Sequence, residues 1–171
     1  MTSPIWLNVM RFAEGLQEIP GPKSNPVILN WNKMINGPKW YDNDDKPWCA
    51  LALNAVLSVC GLPLAVGNSI PLDKYDLLRA KSFETWGHAI AIPTLGCIMT
   101  FSRPEGHHVG LYRGERKDAY YILGANQSNT IGSVWILKKR LTSIRWPVNV
   151  EMVSTGRIWL TDSGEVSTNE G

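Results

Sequence analysis

His107-His108-Val109-Gly110-Leu111-Tyr112-Arg113-Gly114-Glu115-Arg116-Lys117-Asp118-Ala119-Tyr120-Tyr121-Ile122-Leu123-Gly124-Ala125-Asn126-Gln127-Ser128-Asn129 reads as two strands around a polar loop. Residues 107–112 and 119–123 are rich in β-branched and aromatic side chains, and 113–118 between them is turn-forming. A connection this short joins antiparallel neighbours. With the tip near Lys117, position 108 faces position 126, which sets His108 opposite Asn126. Residues 97–101 and 133–137 have the same character, so the chain after Gly87 is expected to be a meander of short strands.

Before Gly87 the period changes to that of helices. Ser3 or Pro4 opens a pattern in which Ile5, Trp6, Val9, Phe12 and Ala13 share a face, ending near Gly15. Asn25-Pro26 supplies a cap and first residue for a second helix carrying Val27, Ile28, Trp31 and Ile35, stopped by Asn36-Gly37-Pro38. The polar run Tyr41-Asp42-Asn43-Asp44-Asp45-Lys46 then leads into Pro47-Trp48-Cys49-Ala50-Leu51-Ala52-Leu53-Asn54, an apolar helix that ends at Gly61-Leu62-Pro63. Residues 72–86 carry a fourth, weaker helical pattern with Tyr75, Leu77, Leu78 and Phe83. Helices first and antiparallel strands second make an α+β domain over residues 1–150, with 151–171 as a polar, loosely held tail.

The composition is that of an ordinary globular domain. The chain has 171 residues, enough for a core without staples, with 44% hydrophobic and 19% charged residues. A formal charge of +2, with Arg113, Arg116, Lys117, Lys138, Lys139 and Arg140 spread between turns, forms no nucleic-acid stripe. No apolar run reaches membrane-spanning length, and Met1-Thr2-Ser3-Pro4-Ile5-Trp6 lacks the features of a secretory signal. Synthesis in the cytoplasm as a monomer is therefore expected, with any extracellular task needing its own delivery route. The three cysteines include no C-x-x-C pair, and Cys49 and Cys60 on one helix would stand roughly 16 Å apart, too far to bridge.

Cys49 is the residue prepared for chemistry. Unpaired N–H groups at a helix N-terminus favour a thiolate and can lower a thiol pKa well below about 8.5. Cys60 and Cys97 read instead as small core residues. A thiolate nucleophile needs a base, and the base an orienting group. His88 lies in a loop after Trp86-Gly87, whereas His107 and His108 are adjacent on a strand and point to opposite faces, so one of the two can serve. Asn126, across the hairpin, can accept an imidazole N–H, although 123–129 also reads as a turn.

Pro47-Trp48-Cys49-Ala50, Gly106-His107-His108-Val109-Gly110-Leu111-Tyr112 and Leu123-Gly124-Ala125-Asn126-Gln127-Ser128-Asn129, in that order, resemble the motifs of CHAP/NlpC-like proteins of the papain superfamily, found in bacteria and phages. The likeness extends to residues 18–26, to Lys81-Ser82-Phe83-Glu84-Thr85-Trp86-Gly87 and to Arg145-Trp146-Pro147. It implies a papain-like fold and hydrolysis of an amide bond in bacterial peptidoglycan, with Cys49 as nucleophile, His108, which stands directly before Val-Gly, as base, and Asn126 as orienter. The chain departs from the family at Ala125, where a second glycine is usual, and at Gly124, near which many CHAP domains carry a glutamate; Gln127 is the alternative orienter. Some CHAP domains also bind calcium just ahead of the cysteine, where this chain has Asp42, Asp44 and Asp45. That spacing does not match an EF-type loop, and a solvated turn is the simpler reading.

The expected chemistry is attack of Cys49 on a stem-peptide carbonyl, with the Cys49 N–H and Asn43 as oxyanion donors and Trp48, Trp86 and Gln127 beside the cleft. Either the muramoyl–alanine amide or a peptide bond would serve as substrate, in a phage endolysin, a tail-associated lysin or an injected antibacterial effector. The rivals are a non-catalytic wall-binding or virion structural module of the same fold, and a zinc amidase using His107 or His108 with Cys97 and an Asp; no H-x-x-x-H or C-x-x-C spacing supports the latter.

Overall fold

The computed structural model describes residues 3–68, 73–152, 156–161 and 163–168. Helices α1 (Ile5–Phe12), α2 (Pro26–Met34) and α3 (Cys49–Val59) precede six strands, β1 (His88–Ala89), β2 (Ile98–Arg103), β3 (Gly106–Glu115), β4 (Ala119–Gln127), β5 (Thr130–Leu137) and β6 (Leu141–Trp146). The strands form one antiparallel sheet in the order β1-β6-β2-β3-β4-β5, and the fold is α+β as expected. The chain meanders from β2 to β5 and then crosses back, so that β6 lies on the far side of β2. Among the described residues no helix is long and apolar enough to cross a membrane.

The centre of the molecule is α3. Every residue from Cys49 to Leu57 is buried, so the helix is apolar on all sides and is enclosed by its neighbours. Gly61, at φ +68°, ends it in a Schellman turn, with the Leu62 N–H donating to Leu57 O at 2.9 Å and the Gly61 N–H to Ser58 O at 3.1 Å. Its one buried polar side chain, Asn54, donates to Leu77 O at 2.8 Å and accepts from the Ala65 N–H at 2.7 Å, which ties two loop segments to the helix. Helix α2 starts as its sequence implies, with Asn25 Oδ1 accepting from the Val27 N–H at 2.9 Å ahead of Pro26.

Some expectations change. Helix α1 buries Trp6, Leu7 and Met10, while Ile5 and Phe12 are 61% and 92% exposed. The rotation follows from Trp6, whose indole donates to Gly96 O at 2.7 Å and meets Trp146 edge-on at 5.1 Å. In place of a fourth α-helix there are two 3-10 turns, Lys74–Leu78 and Ala80–Thr85, separated by an extended Arg79 that pairs with Asp76 at 2.8 Å; Leu72 lies outside the described residues.

Nor is the C-terminal segment loose where it is described. Trp159 bridges to Glu115 and Val166 to Trp135, each in parallel sense, and the Glu115 N–H donates to Ile158 O at 2.7 Å. The wholly buried Glu115 carboxylate is met by Lys138, by Arg157 at 2.9 Å and by the Tyr112 hydroxyl at 3.2 Å. A polar sequence conceals this, because the segment is held by one buried charge more than by apolar side chains.

Candidate active site

Cys49 is the first residue of α3 and only 3% exposed. The backbone N–H groups of Val109, Ala50 and Cys49 itself support its sulfur, and the Arg103 guanidinium adds positive charge. Burial nevertheless outweighs these effects and pushes the thiol up, the reverse of the direction that the helix N-terminus alone would give. The Val109 contact brings the sulfur to β3 beside His108.

His108 is wholly buried and stands opposite Phe101 in the β2–β3 ladder. By strand alternation Arg103, two residues beyond Phe101, shares its face. On the other side β3 pairs with β4 through Leu111↔Leu123 and Tyr112↔Ile122, in the expected register, and the ladder ends short of 108 and 126. Near the tip the partners become Gly114↔Tyr121 and Glu115↔Tyr120, because a bulge takes up Arg113. The imidazole leans over β4: an added Cβ on Gly124 would stand 3.0 Å from His108 Nε2 and 3.2 Å from Gln127 Oε1.

A second irregularity shapes the β4 end. Between Gly124↔Gly132 and Gln127↔Thr130 the β4–β5 register shifts, and Asn126 in this bulge has φ +59°. Asn126 is 4% exposed, and its Oδ1 makes no hydrogen bond within the protein. Gln127 is anchored from below, donating to the carbonyls of Gly124 at 3.2 Å and Ile122 at 3.4 Å and to that of Gly132. Cys49, His108, Asn126 and Gln127 thus occupy one end of the sheet where α3 begins.

The loop ahead of Cys49 supports the site from inside. Asp44 is wholly buried, and its Oδ2 accepts from the Ile19 and Asn25 N–H groups at 3.2 and 2.7 Å, which fastens residues 18–25 to the loop. Trp48 donates from its indole to Glu18 Oε1 at 2.6 Å; burial, more than the opposing Trp48 bond, raises the Glu18 pKa. Tyr41 is buried with its hydroxyl on Lys46 O at 3.2 Å, and its pKa is raised by burial and then by the charges of Asp44, Glu18 and Cys49.

Several sequence assignments take other places. Trp48 is fully buried against Trp31 and Trp86 is 7% exposed with its indole on Pro63 O, so both serve the core and offer little surface to a cleft. Gln127, 1% exposed, is likewise an internal residue. Asn43 Oδ1 accepts from the Asp45 N–H at 2.6 Å, closing the turn. Asp42 pairs with Lys46 and Asp44 points inward, so Asp42, Asp44 and Asp45 do not converge. Among the described residues no group of three or more His, Cys, Asp and Glu side chains is placed to hold a metal ion.

His107, on the other face from His108, lies 3.5 Å from Glu84 Oε1, and His88 pairs with Trp146 at the sheet edge. Arg103, Tyr41 and Glu18 were missed as neighbours of the site. The hairpin register would have put Arg103 on the face of His108; no signal in the sequence marks the other two.

Comparison with protein-family models, with curated proteins and with solved structures found no significant match to this chain.

Proposed function

We propose that the protein is a cysteine hydrolase that cuts an amide bond of bacterial peptidoglycan, either the muramoyl–alanine amide or a peptide bond of the stem or cross-bridge. The observation that carries the reading is the meeting of Cys49, first residue of a buried helix, with the Val109 N–H next to His108, whose ring lies over the β4 bulge holding Asn126. The resemblance of these three stretches to CHAP/NlpC-like motifs supplies the substrate class.

In this reading Cys49 Sγ forms a bond to the substrate carbonyl carbon as its proton passes to His108. The oxyanion is held by the Cys49 backbone N–H. As the C–N bond breaks, His108 gives the proton to the leaving amine. Water, deprotonated by His108, then releases the acyl group as a carboxylate and restores the thiol. Asn126 would orient the imidazole by accepting its N–H on Oδ1, a bond that this structure does not hold. Delivery as a phage lysin or an injected effector would use the same chemistry.

The near-complete burial of Cys49 and its raised pKa favour a second reading, a wall-binding or virion structural module that keeps the fold without turnover. One experiment separates the two. Purified peptidoglycan is digested with wild type and with Cys49→Ala, and the fragments are identified by mass spectrometry. Fragments from wild type alone support the hydrolase and name its bond; a wall bound equally by both proteins and cut by neither supports the module.

A further inference from the structure

Gln127 stands where a regular ladder would put Asn126. Between Gly124↔Gly132 and Gln127↔Thr130 strand β4 has one residue more than β5, and this extra residue turns Gln127 to the face of Gly124. His108 leans over the same face. A Cβ on Gly124 would lie 3.0 Å from His108 Nε2, 3.1 Å from Gln127 Cδ and 3.2 Å from Gln127 Oε1, so ring and amide close on one hollow that glycine leaves open.

The amide is fixed in orientation. Its Nε2 donates to Gly124 O at 3.2 Å, to Ile122 O at 3.4 Å and to Gly132 O, which leaves Oε1 on the side of the hollow. Oε1 is buried, belongs to a residue only 1% exposed, and accepts no hydrogen bond within the protein. A buried acceptor without a donor is costly, and an imidazole N–H at the edge of the same hollow is the donor it fits.

We propose that Gln127 is a further positioning residue for His108, an inference that rests on the reading of His108 as the base. A turn of the imidazole toward the hollow lets Oε1 accept the Nε2–H, so the proton rests on Nε2 and Nδ1 keeps the lone pair that takes the proton of Cys49. Asn126 Oδ1, also buried and unpartnered, is the second carbonyl of this bulge. Among the described residues, Cys49 from α3 and Arg103 from β2 are the ionisable side chains that the other elements bring to this end of the face.

The test reads the ring itself, in full-length protein without substrate. The 15N resonances of His108, assigned against His88→Gln and His107→Gln, tell which ring nitrogen carries the proton when the imidazole is neutral. The expected result is Nε2–H in wild type and loss of that preference in Gln127→Met. Gln127→Glu, which sets a carboxylate at the hollow, should raise the His108 pKa by at least about one pH unit and move the acid limb of kcat/KM on peptidoglycan to higher pH. Gln127→Met should lower kcat at least about tenfold with little change in KM. Both variants lose bonds to backbone carbonyls; if neither folds, the wild-type ring decides.

An Nδ1–H ring in wild type overturns the role of Gln127, as does a His108 pKa left unchanged by Gln127→Glu. Ring signals that move in Asn126→Gly and stay fixed in Gln127→Met would overturn it in favour of Asn126 alone. Wall cleavage with an Nδ1–H ring would sink the positioning role alone, and an Nε2–H ring without cleavage would sink the hydrolase alone.

Discussion

A methyl group on Gly124 would stand 3.0 Å from His108 Nε2, closer than nearly all real contacts of that kind. The same methyl would lie 3.2 Å from Gln127 Oε1, and Gln127 is anchored to backbone carbonyls and cannot easily yield. Gly124→Ala is therefore expected to displace the imidazole, costing about 1–3 kcal/mol of stability and a larger share of activity. Gly132, its partner on β5, has nothing within 4 Å of an added Cβ and is the control. Wall hydrolysis and thermal melts of both variants check this; equal activity of the two would show that the ring has room.

Asn126 combines a backbone demand with a chemical one. At φ +59° asparagine and glycine are at ease, whereas alanine pays about 1 kcal/mol or more. Asn126→Gly should keep the fold and lose the amide, so its melting temperature should stay near wild type while hydrolysis falls by about tenfold or more. Asn126→Ala should lose both. Full activity in Asn126→Gly would remove Asn126 from the mechanism and point to Gln127.

The residues that decide the architecture were readable because each leaves a local signature. Asn25-Pro26 caps α2, Gly61 stops α3, and the loop 113–118 with its flanking strands predicts the register seen at Leu111↔Leu123 and Tyr112↔Ile122. The β3–β4 tip lies half a residue from the expected centre, yet the bulge at Arg113 restores the pairing sum at Leu111↔Leu123; the ladder stops there, short of 108 and 126, and Asn126 lies in a β4 bulge. Periodicity could not resolve long-range choices. Strand β6 alternates poorly, with Thr142 and Ser143 adjacent, and is a strand because β2 offers it a free edge. The α1 face turned on an indole reaching Gly96, ninety residues away in sequence. Trp48 and Trp86 were read as cleft residues from their neighbours in the chain, whereas burying a large ring with its N–H bonded is the more favourable use of each.

Alkaline pH should weaken the fold through its buried thiols. Cys97 is wholly buried and its thiol is pushed up to about 12, chiefly by burial. In the unfolded chain the thiol ionises near about 8.5, so above that pH the unfolded state binds fewer protons than the folded one. Stability is then fully present below about 8.5 and falls as pH rises toward 12, by up to about 1.4 kcal/mol per pH unit for one such group. Cys49, raised in the same direction, adds to the slope. Urea midpoints at pH 8.0 and about 9.5 should separate in wild type and separate less in Cys97→Ala. The cavity left by alanine lowers both midpoints alike, so an unchanged separation would refute the linkage.

The latch at Glu115 should govern the C-terminal segment without touching the chemistry. Glu115 is fully buried at one end of β3 and His108 near the other, seven residues apart, roughly 23 Å along a strand. Replacing the carboxylate by Glu115→Gln leaves Lys138 and Arg157 without their common partner, but both are partly exposed and can turn to water. The expected cost is thus about 2–3 kcal/mol, below that of stranding a buried charge. For a chain of this size such a loss lowers Tm by very roughly 4–12 °C. The released segment should become sensitive to protease near Arg157, while residual hydrolysis at 25 °C stays close to wild type. Arg157→Ala should reproduce the protease sensitivity with a smaller loss of Tm, because Lys138 still faces the carboxylate. Protection of the segment in both variants would mean that Ile158 and the strand-like bonds to Glu115 and Trp135 hold it unaided.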